Sequence, residues 1–440
     1  MVSEPTFRHD SPGTPADDWA GSPRWSSLAD LRLPAGRRRL VVVGAHPDDE
    51  TLGAGGLIRA AALDGWIVEV VSATAGEGSH PLSPTHSTDR LAARRRGELG
   101  SAISLLAPAA TVRCLDLPDG GVADEVGALV SALVETIGTD GDEVLLCAPW
   151  RHDGHPDHEA VGRAAALAAA RTDAQLLEYP VWLWHWGRID DLPWSQTQRL
   201  ALDVPAHDAK RAAVAAHASQ VRPLSDQPGD EVLLGADLLA HFDRDGEVFI
   251  TDTGPVDDDA LDLVHHEQAD PWQVDSFYER RKRAVTLASL PRQTYARALE
   301  VGCSVGALAL DLAGRSDHLL ALDASPAAID LARDRTAPLP HVDVRLAHVP
   351  DEWPDGDFDL VSISEVGYFL SPRQLADVVR LATSALATDG HLLLCHWRHQ
   401  PVGWPLAGPA VHDAFLAAGL EVLVEHQEPD FLLHVLAVPS

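Results

Sequence analysis

The chain has 440 residues, an apolar fraction of 45% and a formal net charge of −32. That length exceeds what one hydrophobic core usually serves, so two or three domains are expected, and no apolar stretch approaches the length needed to span a bilayer. The charge argues against nucleic acid and against anionic membrane surfaces as partners, since both demand dense Lys and Arg; the only lysines are Lys210 and Lys282.

Residues 1–22 are rich in Pro, Ser and Asp, show no charged-then-apolar leader pattern, and read as a loosely held tail. From Arg37 the chain alternates in a βα rhythm: apolar 39–44, helical 51–64, apolar 66–73, helical 89–106, apolar 111–115, helical 123–137, apolar 143–148. Such alternation predicts a parallel sheet covered on both faces. A first domain over 23–255 ends at the Gly-, Pro- and acid-rich stretch TGPVDDDALDLVHHEQADP, which reads as a linker over 256–271. A second βα series fills 272–440, so the expected fold class is α/β with two Rossmann-like domains. Four scattered cysteines (Cys114, Cys147, Cys303, Cys395) have no paired spacing and read as reduced core thiols in a cytoplasmic protein.

The first chemical signal is AHPDDE, where a strand ends at Ala45 and a histidine and three acids follow. Alone, it reads as a turn and helix start. A hundred residues on, CAPWRHDGHPDH repeats the pattern: a strand runs into a loop holding His152, Asp153, His155, Asp157 and His158, and a helix follows. Together they point to a cation. His46, Asp49 and His158 would make a two-histidine, one-carboxylate site with open positions, as catalytic zinc sites keep. Iron or manganese could occupy the same ligands, and a non-haem iron oxygenase is the rival chemistry. GAGG (53–56) lacks the Lys of a P-loop and reads as close helix–sheet packing. In EYPVWLWHWGR (178–188) the aromatics alternate as in a half-buried strand, with Trp182, Trp184 and Trp186 either core or the lining of a sugar groove. The His80–His86 stretch reads as a lid or a plain surface loop.

AHPDDETLGAGG, GHPDH and the RRGEL helix (95–99) closely resemble the PIG-L/LmbE-like zinc-dependent de-N-acetylases, supported by LPDGG (117–121) and KRAAVAAHASQ (210–220). The resemblance covers about 37–224. It implies an LmbE-like sheet and removal of acetyl from N-acetylglucosamine-type sugars. His46, Asp49 and His158 would hold Zn2+ or another divalent ion, and Asp48 would be the general base. A cationic His155 would steady the oxyanion, Asp157 would orient a histidine, and Arg95 and Asp119 match positions near the sugar.

In ALEVGCSVGALALDLAG, Glu300 and two glycines, Gly302 and Gly306, lie between a strand and a helix, and Asp323 ends the next strand. Glycines allow close backbone approach, and an acid there grips ribose hydroxyls. A dinucleotide is possible, but Ser304 stands where its middle glycine belongs, so S-adenosylmethionine fits better. With DPWQVDSFYERRKRAVTLASLP, FDLVSISEVGYFL and CHWRH, this loop resembles the nodulation-type N-methyltransferases over about 270–437. That likeness implies a class I methyltransferase sheet, with Gly302, Gly306 and Asp323 on the cofactor. Glu365 and His396 follow strand ends, where they either face the methyl acceptor or serve as a helix-capping acid and a satisfied strand histidine.

One domain would uncover an amine and the other would methylate one. The combined reading is a bifunctional enzyme turning an N-acetylamino sugar, free or in a glycoconjugate, into its N-methylamino form. Separate substrates, O-methylation or a non-catalytic scaffold are the alternatives.

Overall fold

A computed structural model describes residues 12–34, 38–251, 254, 256–268 and 270–439. The βα rhythm of each half closes into its own sheet, and the chain divides into two units, one ending at Val256 and one beginning at Asp257. The first unit holds β1 (Ala29–Asp30), β2 (Arg39–Gly44), β3 (Ile67–Thr74), β4 (Thr111–Leu117), β5 (Val144–Pro149), β6 (Gln175–Tyr179), β7 (Thr197–Ala201) and β8 (Gly246–Ile250). Their order is β1-β7-β8-β6-β5-β2-β3-β4, parallel except where β8 meets β6 and β7. β2 and β5 are near-continuous aliphatic runs because both of their faces are buried, under two separate cores.

The second unit holds β9 (Tyr295–Val301), β10 (Ser316–Asp323), β11 (Val342–Leu346), β12 (Phe358–Ser364), β13 (Leu386–Trp397), β14 (Glu421–Gln427) and β15 (Phe431–Ala437). Their order is β11-β10-β9-β12-β13-β15-β14, with β15 antiparallel to both neighbours. The α/β class with two sheets is as the sequence suggests.

Three local expectations change. Residues 1–11 of the expected tail lie outside the described residues, but 12–22 are not loose: Ala16–Ala20 form a helix, and fully buried Trp19 donates its indole N–H to the Trp184 carbonyl at 2.8 Å. Within 256–271 the chain forms a helix, Ala260–Glu267, whose Asp262 accepts from the Ser325 hydroxyl and the Ala327 N–H, so this stretch packs as part of the second unit. The strand expected over 178–188 stops at Tyr179, because Pro180 has no N–H for the ladder; Leu183–Trp186 turn into a short helix. All four cysteines are unpaired, and among the described residues no helix is long and apolar enough to cross a membrane. His80 is buried with its Nε2 2.9 Å from the Glu231 carbonyl, while Pro81, Leu82 and Pro84 are exposed, so that stretch is a surface loop anchored at its first residue.

Candidate functional site

In the first sheet the crossovers leave β2 and β5 in opposite directions. A crevice opens outside the carboxyl ends of two such strands, and open α/β sheets bind ligands there. β2 delivers His46 and the helix Asp49–Leu63; β5 delivers the loop and the helix Pro156–Thr172. Asp49 Oδ2 is their meeting point. It accepts the His46 N–H at 2.8 Å and lies 3.5 Å from His46 Nδ1 and 3.3 Å from His158 Nε2. One ligand atom from each of His46, Asp49 and His158 lies within 4.8 Å of the others; His46, His155 and Asp157 form a second such trio.

The outward ring nitrogens are held by carboxylates. His46 Nε2 lies 3.1 Å from Asp119 Oδ1 and 3.2 Å from Asp157 Oδ2, and His158 Nδ1 lies 2.8 Å from Asp153 Oδ2. An ionised carboxylate only accepts, so the protons sit on those nitrogens, and neutral rings would turn His46 Nδ1 and His158 Nε2 toward Asp49 as lone pairs. His158 Nε2 is buried without a well-formed hydrogen bond. A cation would satisfy it, and two imidazoles with one carboxylate and open positions suit zinc, iron or manganese. Burial opposes charge on both rings, but the acids outweigh it: Asp49 and Asp153 raise His158 to about 9, and Asp119, Asp157 and Asp49 raise His46. Asp49 in turn is held well below the usual carboxylate range, its burial outweighed by the two histidines.

Asp48 precedes the helix Asp49–Leu63 with φ at 147°, a region L residues rarely adopt. Its Oδ2 lies 3.2 Å from Arg95 Nη2, and its N–H donates to Glu50 Oε2 at 3.2 Å. Burial pushes Asp48 up to about 7, with Arg95 opposing and Asp49 adding to the rise. Arg95 is 3% exposed and also donates to the Gly76 carbonyl at 2.8 Å and the Pro47 carbonyl at 3.0 Å. Gly76 has φ +65°, and a Cβ there would fall 2.0 Å from Arg95 Nη1, so only glycine lets the guanidinium in. Of the two residues matched to the sugar, Arg95 thus packs on Asp48, and Asp119 holds His46 and accepts the Gly78 N–H at 2.7 Å.

His155 departs from expectation. Its Nδ1 accepts the Asp157 N–H at 3.2 Å, which puts the ring proton on Nε2. Burial and the two neighbouring histidines push its pKa down to about 3, so the ring is neutral rather than cationic. Sequence reasoning placed Asp153 in the loop after β5 but gave it no role. It is buried, holds His158, and accepts the N–H groups of Val181, Trp182 and Leu183 at 2.8, 2.9 and 3.1 Å. Its only signal was an acid just ahead of the His–Pro–Asp turn.

The second sheet repeats the geometry, with crossovers diverging between β9 and β12. The loop after β9 turns through positive φ at Gly302 (+78°), Ser304 (+47°) and Gly306 (+75°). A Cβ on Gly302 would fall 2.7 Å from the Val366 Cβ, so the loop after β12 lies directly against it. Asp323 accepts the Ser304 N–H at 2.7 Å and the Ser325 N–H at 2.9 Å. Glu300 is 1% exposed; its Oε2 has no hydrogen-bond partner, and burial beside Asp323 and Asp311 pushes it up to about 8. That orphaned oxygen suits a ligand that brings a donor or positive charge.

Glu365 and His396 part company. The Glu365 side chain is 27% exposed, with Oε1 accepting from Lys282 Nζ at 2.6 Å and Oε2 from the Tyr368 hydroxyl and the Trp397 N–H. Burial would raise its pKa, but Lys282 outweighs that and keeps it ionised. His396 is fully buried. Its Nε2 accepts the Gly367 N–H at 3.2 Å and its Nδ1 lies 3.0 Å from His412 Nε2, so neither nitrogen faces an acceptor; it is the satisfied strand histidine.

Residues 41–169 match the GlcNAc-PI de-N-acetylase (PIG-L) family, and residues 256–403 match Nodulation protein S (NodS). A 1D-myo-inositol 2-acetamido-2-deoxy-alpha-D-glucopyranoside deacetylase of Rhodococcus jostii is 32% identical over 244 residues, covering 42% of this chain and 82% of the relative. Nodulation protein S of Bradyrhizobium diazoefficiens is 30% identical over 141 residues, covering 31% and 68%. The N-methyltransferase NodS of Bradyrhizobium japonicum WM9, solved with S-adenosyl-l-homocysteine, is 26% identical with a TM-score of 0.39, covering 42% of this chain and all of that one (100%). The chain spans about three fifths (59% and 63%) of the length of two further nodulation proteins it matches.

Proposed function

We propose that this chain, which belongs to the GlcNAc-PI de-N-acetylase family through its first unit and to the nodulation protein S family through its second, is a bifunctional enzyme. The first unit would hydrolyse the acetamide of a GlcNAc-type amino sugar, and the second would methylate the amine so exposed. The observation that carries the reading is the convergence of His46, Asp49 and His158 on one point, with Asp48 and His155 beside it.

His46 Nδ1, Asp49 and His158 Nε2 would hold a zinc ion, with Asp119, Asp157 and Asp153 keeping the rings turned. A divalent ion there supplies Lewis acidity, polarising the amide carbonyl and bringing water's pKa from about 16 toward about 7. Asp48 accepts the proton of the attacking water and passes it to the departing nitrogen, and a base so placed is worth roughly two to four orders of magnitude. His155 Nε2–H donates to the carbonyl oxygen as negative charge develops on it, and a neutral donor serves that purpose without needing a proton from solvent.

In the second unit the loop at Gly302 and Gly306, Asp323 and Glu300 would seat S-adenosylmethionine. Glu365, the exposed member of its pair, would face the acceptor. Methyl transfer needs mainly alignment, worth several kcal/mol of barrier. An acetamide is no acceptor, because its nitrogen lone pair is delocalised into the carbonyl; deacetylation therefore comes first.

The test supplies N-acetylated sugars to the metal-loaded protein with and without S-adenosylmethionine and reads product masses. Acetyl loss without the methyl donor, followed by methyl gain with it, is the expected result. Methylation of intact acetamides would overturn the order, and no acetyl loss would overturn the hydrolase.

A further inference from the structure

Glu365 is the first residue after β12, at the carboxyl edge of the second sheet, and its φ of +58° lies in the left-handed region that favours glycine. Such backbone persists only where surrounding contacts enforce it, and it clusters at functional sites. Three elements supply the contacts here. The helix Phe277–Ser289 brings Lys282, whose Nζ donates to Glu365 Oε1 at 2.6 Å and to Glu279 Oε1 at 2.8 Å, and lies 5.2 Å from the Tyr278 ring. The end of β13 brings the Trp397 N–H, 2.9 Å from Oε2, and the loop after β12 brings the Tyr368 hydroxyl to the same oxygen.

An ionised carboxylate offers about four lone-pair sites. Among the described residues, donors fill both of those on Oε2 and one on Oε1. The remaining Oε1 position belongs to a side chain that is 27% exposed, whereas that of Lys282 is 7% exposed. Val366, the next residue, lies directly against Gly302 of the cofactor loop. One open acceptor position therefore stands a single residue from the methyl-donor loop, with a buried cation behind it.

We propose that Lys282 is a positioning residue for methyl transfer: it holds the Glu365 carboxylate ionised and turned so that Oε1 accepts an N–H of the acceptor amine, and its charge keeps that amine unprotonated. The inference rests on the amine-methylating reading of the second unit and adds the residue that sets its pH dependence. The amine lone pair forms the N–CH3 bond as the S–CH3 bond breaks, and the electrons of that bond go to sulfur. The secondary ammonium so formed leaves and gives its extra proton to water, so no protein base is consumed. The surroundings match. Burial raises Glu365, but Lys282 outweighs it and holds the carboxyl below its usual range. Burial also keeps the other nearby groups neutral: it pushes Cys395 and Tyr278 up to about 12, raises Tyr368 further, and lowers His396 to about 4. The charges that act on the amine are thus Lys282 on one side and Glu365 and Glu279 on the other.

The test supplies glucosamine, a free-amine sugar that bypasses the first unit, to the full chain with S-adenosylmethionine and follows kcat against pH. The rate rises as the bound ammonium loses its proton. Lys282→Met leaves two carboxylates with no opposing cation, so the rise should move upward by about one to three pH units. Glu279→Gln removes a carboxylate instead and should move it downward. Calorimetry with S-adenosylhomocysteine checks that each variant keeps its cofactor site, and if Lys282→Met fails to fold, the direction of the Glu279→Gln shift decides. A uniform loss of kcat with the rise unmoved would overturn the role of Lys282 while leaving methyl transfer in place. If the native chain methylated no glucosamine at any pH, the amine-methylating reading would fall. Carbon-13 NMR of the Glu365 carboxyl, assigned with Glu365→Gln, would still decide the pairing: a titration moved up by at least about one unit in Lys282→Met upholds it, and an unmoved one removes it.

Discussion

Asp153→Asn tests how the metal centre is built. In the native site Oδ1 accepts the N–H groups of Val181 and Leu183, while Oδ2 accepts the Trp182 N–H and the proton on His158 Nδ1. An amide can place its NH2 at only one of these corners. At Oδ1 it would face two backbone donors that cannot change; at Oδ2 it faces one, because His158 can move its proton. Leaving a buried N–H unpaired costs about 1–3 kcal/mol, so the Oδ2 orientation is favoured by about that amount. There the amide donates to His158 Nδ1 and drives the ring proton onto Nε2, the nitrogen that should bear the lone pair. The expected stability loss is about 1–3 kcal/mol, roughly 2–12 °C in Tm for a unit of this size. Loss of such a partner typically weakens metal binding about 10–100-fold, or about 1.4–2.7 kcal/mol. Chelator-competition titration measures the affinity, and excess metal should restore part of the acetate release. Full native affinity in a folded Asp153→Asn protein would refute the tautomer argument. Asp153→Ala is less informative, since three unpaired N–H groups would cost about 3–9 kcal/mol against a total stability of about 5–15.

Asp48→Asn should keep its metal and lose roughly two to four orders of magnitude in turnover, whereas His46→Ala should lose metal and turnover together; metal analysis beside acetate release separates them. Gly302→Ala puts a Cβ 2.7 Å from that of Val366 at a φ of +78°, so S-adenosylhomocysteine binding by calorimetry should fall by at least tenfold while acetate release stays unchanged. In the second unit, burial lowers His396 to about 4 and also depresses His412, its hydrogen-bonded neighbour. Their folded pKa values lie below the unfolded 6.5, so the unfolded chain binds protons that the native one refuses. Stability should be complete above about pH 6.5 and fall by about 1.4 kcal/mol per pH unit per histidine as pH drops toward 4. Urea unfolding from pH 7 to 5 measures that slope, and a flat profile would contradict neutral burial.

The parts of this protein that could be read from sequence are those where chemistry follows directly on a strand. His46, Asp49 and His158 each sit within a few residues of a strand end, and a parallel sheet sends every strand end to one edge. Gly302, Gly306 and Asp323 were legible for the same reason. Asp153 was not, because its partners at 181–183 come from the far side of the helix Pro156–Thr172, and an acid in a loop carries no mark of what it will face. The aromatic alternation at 178–188 suggested a strand, but Pro180 removed a ladder donor and Asp153 captured the next three. His155 was expected to be cationic, whereas its Nδ1 accepts the Asp157 N–H and burial beside two histidines lowers its pKa to about 3. The polar tail composition hid Trp19, whose burial depends on a carbonyl 165 residues away.

The acids at the end of β2 make sense only as a set. Asp49 collects two histidines, Asp119 and Asp157 restrain one of them, Asp153 restrains the other, and Asp48 is kept apart by Arg95. Four carboxylates around two imidazoles leave a buried excess of negative charge, and in the protein alone that excess is met by drawing protons onto His46 and His158. A divalent cation meets it better, since it offers two charges at one point and frees both ring nitrogens to bind it. The one acid not committed to a histidine is Asp48, and its backbone is held in a conformation that costs on the order of 1–3 kcal/mol. Strain of that size persists only where surrounding contacts enforce it, here Arg95 and Glu50, and in the proposed enzyme it would keep one carboxylate beside the cation without becoming a ligand.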